Sequence, residues 1–288
     1  MARYRRKLDR DRLYLEFSRR LLMRLGKGAE AQRNGHAAYR LPDFYIIGAP
    51  RCGTTWLKVA LDHCPGVLML RGEPFVFTYH FDRDVETGLG KYDPIPESFL
   101  SPNDFEPARY SQVLLGEKSP DYFTMAGVRL GYFLDLNPRA KFIMICRDPT
   151  ERLWSHVLHQ FRADPEYVTR FVSSPSLDRS QEDDRRVWRF VGSATHFGLY
   201  RKSLQAWRAA VPEDRLLVLS FHDFEASPPA TLERVLQFLG LNAGSTPSGD
   251  PKDRISSTEE IAPPAFFTRW AAELYGDEAD YVASLAIG

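Results

Sequence analysis

Cysteine is scarce in this chain: among 288 residues only Cys52, Cys64 and Cys146 occur. So sparse and odd a set excludes a disulfide framework, and no Cys/His spacing resembles a zinc site, so no metal is expected. An excess of either charge is also missing, because 38 basic and 38 acidic residues cancel. That removes any overall electrostatic drive toward nucleic acid, and no nucleic-acid partner is expected. Apolar runs long enough to span a bilayer are absent too, and the basic amino terminus leads into no secretory signal. Cytoplasmic residence follows as the default expectation.

What remains is an ordinary globular composition, 43% hydrophobic, with enough length to bury one substantial α/β core. Apolar runs near Phe44, Val67, Val113, Phe142 and Leu217 alternate with helical or looped stretches. This predicts a single domain over residues 41–288, a mainly parallel sheet flanked by helices on both faces. Helices are expected over Thr55–Asp62, Pro149–Phe161, Tyr200–Ala210 and Pro229–Leu239. Another runs through the tail Ala265–Ala286, with Phe266, Phe267, Trp270, Leu274 and Tyr275 as an apolar core stripe. Residues 1–40 form a separate basic extension. Its arginines interleave with Tyr14, Phe17, Leu21 and Leu25 at helical spacing. A helix packed on the domain with solvated arginines satisfies that pattern, and so does one resting on an anionic membrane or an acidic partner.

Chemistry enters at Gly48-Ala49-Pro50-Arg51-Cys52-Gly53-Thr54-Thr55, which follows the first apolar run and opens a helix. The two glycines have the spacing of a phosphate-cradling loop, G-x-x-x-x-G-K-[ST], but Thr54 stands where a nucleotide kinase has lysine. Backbone N–H groups and the positive end of the helix still suit an anion, and the threonine hydroxyls add donors. Charge comes instead from Arg51 within the loop. Cys52 sits where a helix amino terminus is expected to lower a thiol pKa; no nucleophilic role is assigned to it.

Lacking that lysine, this segment resembles the loop of the sulfotransferase family, which binds 3′-phosphoadenosine 5′-phosphosulfate (PAPS). A second segment, Arg147-Asp148-Pro149-Thr150-Glu151-Arg152-Leu153-Trp154-Ser155, follows another apolar run and matches the family pattern R-D-P-x-x-R-x-x-S. Pro149 suits the first helical turn, and Arg147 and Ser155 can face one phosphate at the sheet's carboxyl edge. The resemblance implies that they hold the 3′-phosphate, with Arg51, Cys52, Gly53, Thr54, Thr55 and Trp56 at the other end of the donor. The bland alternative pairs Arg147 with Asp148 or Glu151. A third segment, Glu117-Lys118-Ser119-Pro120-Asp121-Tyr122-Phe123, resembles the E-K-[ST]-P-x-Y-F stretch of carbohydrate-type members, where the lysine lies near the transferring group or the acceptor.

Glu73, just past the second apolar run, is the candidate base, and the family carries a glutamate in a similar setting. His80 is its rival, whereas His63 flanks the first helix. Toward the carboxyl terminus, Leu216 to Phe224 resembles the strand before the family's Y-E-D-L motif, with Phe221 replacing the tyrosine that approaches adenine. Lys252 and Arg254 lie in a polar loop able to fold over the donor, or are ordinary surface charges. Residues 80–111 and 163–186 read as polar insertions over the acceptor site, serving as lids. The implied fold is the P-loop sulfotransferase fold. The implied activity is transfer of a sulfuryl group to a hydroxyl or amino group, with Glu73, Arg51 and Lys118 catalytic and no metal. A carbohydrate acceptor ranks first; Phe75, Phe77, Tyr79 and Phe81 equally suit a phenolic one. Rival readings of another class are a P-loop kinase and a non-catalytic nucleotide-binding module.

Overall fold

A computed structural model describes residues 41–70, 72–74, 77, 113–173, 182–241 and 261–285. The basic extension over residues 1–40, the 80–111 insertion with His80 and Phe81, and Arg71, Phe75, Tyr79, Lys252 and Arg254 lie outside the described residues.

All five apolar runs are strands: β1 (Phe44–Gly48), β2 (Val67–Met69), β3 (Leu114–Lys118), β4 (Lys141–Cys146) and β5 (Leu216–Ser220). They form one sheet in the order β2-β3-β1-β4-β5, parallel at every pairing. β1, at the centre, is buried along its whole length, which is why its sequence is continuously apolar rather than alternating. β3 extends further than its apolar start, so Glu117 and Lys118 belong to the strand itself. β5 is shorter than expected, and Phe221 begins a helix instead of continuing it.

The helices among the described residues are α1 (Thr54–Asp62), α2 (Gly127–Leu136), α3 (Pro149–Gln160), α4 (Pro165–Ser173), α5 (Glu182–Ala194) and α6 (Tyr200–Ala210). After β5 come α7 (Phe221–Ala226), α8 (Pro228–Leu239), α9 (Ala265–Tyr275) and α10 (Glu278–Ser284). α3 starts where the sequence directs it: the Asp148 carboxylate accepts the Glu151 N–H at 2.9 Å, and Pro149 takes the first turn. No helix of the described residues is long and apolar enough to cross a membrane.

Two expectations need correction. From Pro165 on, the described parts of 163–186 are helical, and α4 and α5 carry Val168, Phe171, Val187 and Val191 into a second apolar cluster with Trp154 and Phe267. These residues recur at helical spacing, but charged neighbours dilute them, so the stretch reads as polar. The tail is two helices, because Gly276 takes a positive φ of 52° and turns the chain between α9 and α10. Phe267 and Tyr275 of the expected stripe are buried, whereas Leu274 is 43% exposed and faces away.

Gly116 of β3 shows how tightly the sheet is covered. A Cβ there would run into the Phe44 ring and the Met69 sulfur, both fully within the core. Gly116→Ala is therefore expected to destabilise the fold by about 1–3 kcal/mol, read as a lower urea midpoint at unchanged m-value.

Candidate active site

The loop between β1 and α1 lies at the carboxyl edge of the central strand. Gly53, with φ 77°, is the N-cap of α1 and offers no side chain to its first N–H groups. No acidic residue occupies the first turn either. The unfilled donors of Thr54, Thr55 and Trp56 form a ready anion site. A side chain at Gly53 would press at 3.0 Å on Phe224 and 3.2 Å on Phe221, so the loop sits directly against α7. Arg51 itself has a left-handed φ of 67°, uncommon for a residue with a side chain.

Two loop side chains turn inward. The Cys52 sulfur lies 3.5 Å from the Tyr200 hydroxyl, fully buried, and burial pushes its pKa up. The expected lowering by the helix terminus is overturned because desolvation of a thiolate outweighs the terminus. Trp56 packs edge-on against Phe224, and its buried Nε1 has no hydrogen-bond partner. Both residues thus contribute backbone rather than side chain to the loop.

Arg51 and Ser155, 104 residues apart, meet: the guanidinium Nε donates to the hydroxyl at 3.2 Å. Arg147, at the end of β4, does not share Ser155 in the expected way. It pairs with Glu151 at 3.3 Å and lies 4.4 Å over the Phe221 ring. The alternative weighed from sequence is thus the arrangement present. Arg51 is nonetheless near enough to Arg147 that, after burial, the second guanidinium is the largest cause of its lowered pKa. Two cations facing one loop make a pocket short of negative charge. Glu151 is 61% exposed, and such a pair is worth about 1 kcal/mol at most. Glu151→Gln should therefore free Arg147 and tighten binding of 3′-phosphoadenosine 5′-phosphate (PAP) by about two- to fivefold in calorimetry.

Lys118 links the third segment to the loop. Its ammonium pairs with Glu73 and donates to the Thr55 hydroxyl at 2.8 Å. Lys118 is buried while Glu73 is about one-third exposed, so the pair opens from the sheet edge toward solvent. The candidate base, the motif lysine and the phosphate loop are therefore in direct contact. Phe221 stands beside Arg147, stacked on Phe224 at 5.5 Å. His63 caps the carboxyl end of α1, as its position suggests.

Sequence reasoning missed Lys58 and His159. Lys58 donates to the Gly72 carbonyl at 2.9 Å, and burial followed by the charge of Lys118 lowers its pKa. His159 has its pKa lowered by burial, then by Arg51 and Arg162, and opposed by Glu73, which places it in the same electrostatic field. His156, pushed down to about 3 by burial and Arg152, stays neutral. The available signal was spacing: Lys58 follows Thr54, and His159 follows Ser155, by four residues, one helical turn on the same face.

Comparison with known proteins bears on the sequence and the fold. A model of the sulfotransferase family matches residues 42–244. Heparan sulfate glucosamine 3-O-sulfotransferase 3B1 of Mus musculus is 29% identical over 72% of this chain and 48% of its own. The bifunctional heparan sulfate N-deacetylase/N-sulfotransferase 2 of Bos taurus is 27% identical over 70% of this chain and 22% of its own. The chain thus spans about half the length, or less, of these curated relatives. Among solved structures, a sulfotransferase from Alicyclobacillus acidocaldarius superposes with TM-score 0.59 at 18% identity, over 86% of this chain and 96% of that one. A mouse sulfotransferase complexed with PAP gives 0.50 at 13% identity, over 86% and 89%. The family match runs through β1, the phosphate loop, β4 and β5, and by it this chain belongs to the sulfotransferase family.

Proposed function

We propose that the protein transfers a sulfuryl group from PAPS to a hydroxyl or amino group of a carbohydrate acceptor. One observation carries this reading: Glu73, Lys118 and Thr55 form a continuous polar chain from solvent to the phosphate loop, beside the Arg51–Ser155 contact. The pocket also suits a doubly phosphorylated nucleotide. It offers the unfilled N–H groups of α1 at one end and Arg147 at the other, with Phe221 available to the base.

PAPS, when bound, supplies an activated sulfuryl group on a phosphate leaving group. Everything else falls to this chain's residues. Thr54, Thr55 and the first N–H groups of α1 hold the 5′ end, while Arg147 and Ser155 hold the 3′-phosphate. Glu73 takes the proton from the attacking acceptor group as the new bond to sulfur forms. Lys118, anchored on Thr55, aims Glu73 and brings positive charge to the loop, where negative charge grows on the departing phosphate oxygen. Arg51 adds a second donor to that oxygen. Positioning supplies much of the effect, as in phosphoryl transfer.

The acceptor is argued from two sides. The relatives carry heparan sulfate in their names, and the E-K-S-P segment that holds Lys118 resembles carbohydrate-type members. The aromatic wall that favoured a phenol is weakened, because Phe77 is buried against Phe133 at 4.5 Å and faces the core. Calorimetry with PAP, ADP and ATP tests the donor, and sulfation of a panel of amino sugars, polysaccharides and phenols tests the acceptor. Preference for ATP with magnesium would return the chain to the kinase reading.

A further inference from the structure

Lys118 points to the phosphate loop, and its neighbour Glu117, one residue back in β3, points the other way into the protein. Its carboxyl is fully buried. One oxygen accepts the Ser119 hydroxyl at 2.6 Å; the other, Oε2, is buried with no hydrogen-bond partner. The Tyr122 phenol, also fully buried, completes a cluster with these two groups. The phenol oxygen in turn accepts the Phe77 N–H at 3.2 Å. Phe77 lies four residues beyond Glu73, and Gly72, one residue before it, is held by Lys58. The chain that carries the candidate base is thus fastened on both sides, once from α1 and once from this buried cluster.

We propose that Glu117 is a positioning residue: its carboxylate, acting through Ser119 and Tyr122, fixes the backbone at Phe77 and so holds Glu73 against Lys118 at the phosphate loop. The value of this to catalysis rests on Glu73 being the base. The hydrogen bonds have a direction. An ionised Glu117 can only accept, so the Tyr122 hydroxyl beside it keeps its proton and turns it toward the carboxylate, which leaves the phenol oxygen to accept from Phe77, and each link polarises the next. A protonated Glu117 becomes a donor and competes with Phe77 for that oxygen. The groups acting on Glu117 are Asp121, which repels it, the hydroxyls of Ser119 and Tyr122, which favour its charge, and Tyr45 beside it in β1. Burial outweighs the hydroxyls and raises its pKa to about 7. The anchor therefore tightens as pH rises through about 7 and slackens below it.

Amide exchange resolved by NMR on the whole protein tests this without any acceptor. In the wild type, protection of the Phe77 amide, corrected for intrinsic exchange, should rise between pH 6 and 8. Glu117→Gln and Tyr122→Phe should each speed exchange at Phe77 by about tenfold, the worth of one hydrogen bond in a chain ending on a charge, and flatten its pH dependence. PAP affinity and the protection of β3 should hold. Tyr122→Phe keeps the buried carboxyl and serves if Glu117→Gln does not fold. Unchanged exchange at Phe77 in both variants, or equal loss of protection throughout β3, would overturn the proposal. If the wild type bound no PAP while Phe77 behaved as expected, the proposed function would fail and the anchor would stand.

Discussion

Arg147→Ala is expected to weaken PAP binding by about a hundredfold while changing ADP binding by less than about threefold. The guanidinium sits at the end of β4, a strand clamped between β1 and β5, so its Cα is fixed whatever the ligand. In the free protein its partners are a largely exposed carboxylate and an aromatic face. A doubly charged 3′-phosphate offers charge-assisted, two-point hydrogen bonds worth about 3 kcal/mol in total, against about 1 kcal/mol at most for Glu151. The difference of about 2–3 kcal/mol is a factor of about 30 to 150 in Kd. ADP has no 3′-phosphate and loses nothing when Arg147 is truncated. Equal loss for both nucleotides in calorimetry would mean that Arg147 supports the fold of the pocket and does not read the 3′-phosphate.

The second large effect is on turnover. Glu73→Gln should lower kcat by about 10²- to 10⁴-fold, the usual contribution of a positioned base, with PAP affinity within about threefold of wild type. The amide keeps the size of the side chain but cannot accept the acceptor's proton. Lys118 loses its ionic partner but keeps Thr55, so the loop should hold its shape. Quenched assays with radiolabelled donor measure kcat, and calorimetry on the same samples measures binding. Turnover near the wild-type rate would remove Glu73 from the role of base; no turnover by the wild type on any acceptor would favour a nucleotide-binding module.

The sheet and the two phosphate motifs were legible because each is local. A strand buried on both faces is continuously apolar, and a phosphate loop needs two glycines at a fixed spacing, so Phe44–Gly48, Gly53 and the Arg147–Ser155 run announce themselves. The pairings between them were not legible. Glu73 meets Lys118 because β2 lies beside β3, and Arg51 meets Ser155 because β1 lies beside β4; the strand order sets both contacts, and no short window of sequence contains it. Cys52 deceived for a related reason, since a helix terminus is visible in sequence while the Tyr200 hydroxyl that covers the thiol comes from 148 residues away. Of the second apolar cluster only the tail stripe with Phe267 and Tyr275 was legible; Val168, Phe171, Val187 and Val191 escaped because charged neighbours dilute their helical spacing.

That second cluster has a consequence for how such a protein can change over generations. Cohesion is divided: α4, α5 and α9 pack chiefly with one another and with α3, while the sheet and its phosphate loop rest on a different core. Within the outer cluster, buried Arg152 of α3 donates to the Ala194 carbonyl and to the Tyr275 hydroxyl, while Phe197 packs against both cores. So long as α3 and the contacts of Arg152 are kept, α4, α5 and α9 can vary as a unit. A lineage, or a protein engineer, can rework these outer helices without having to reinvent the grip on the donor.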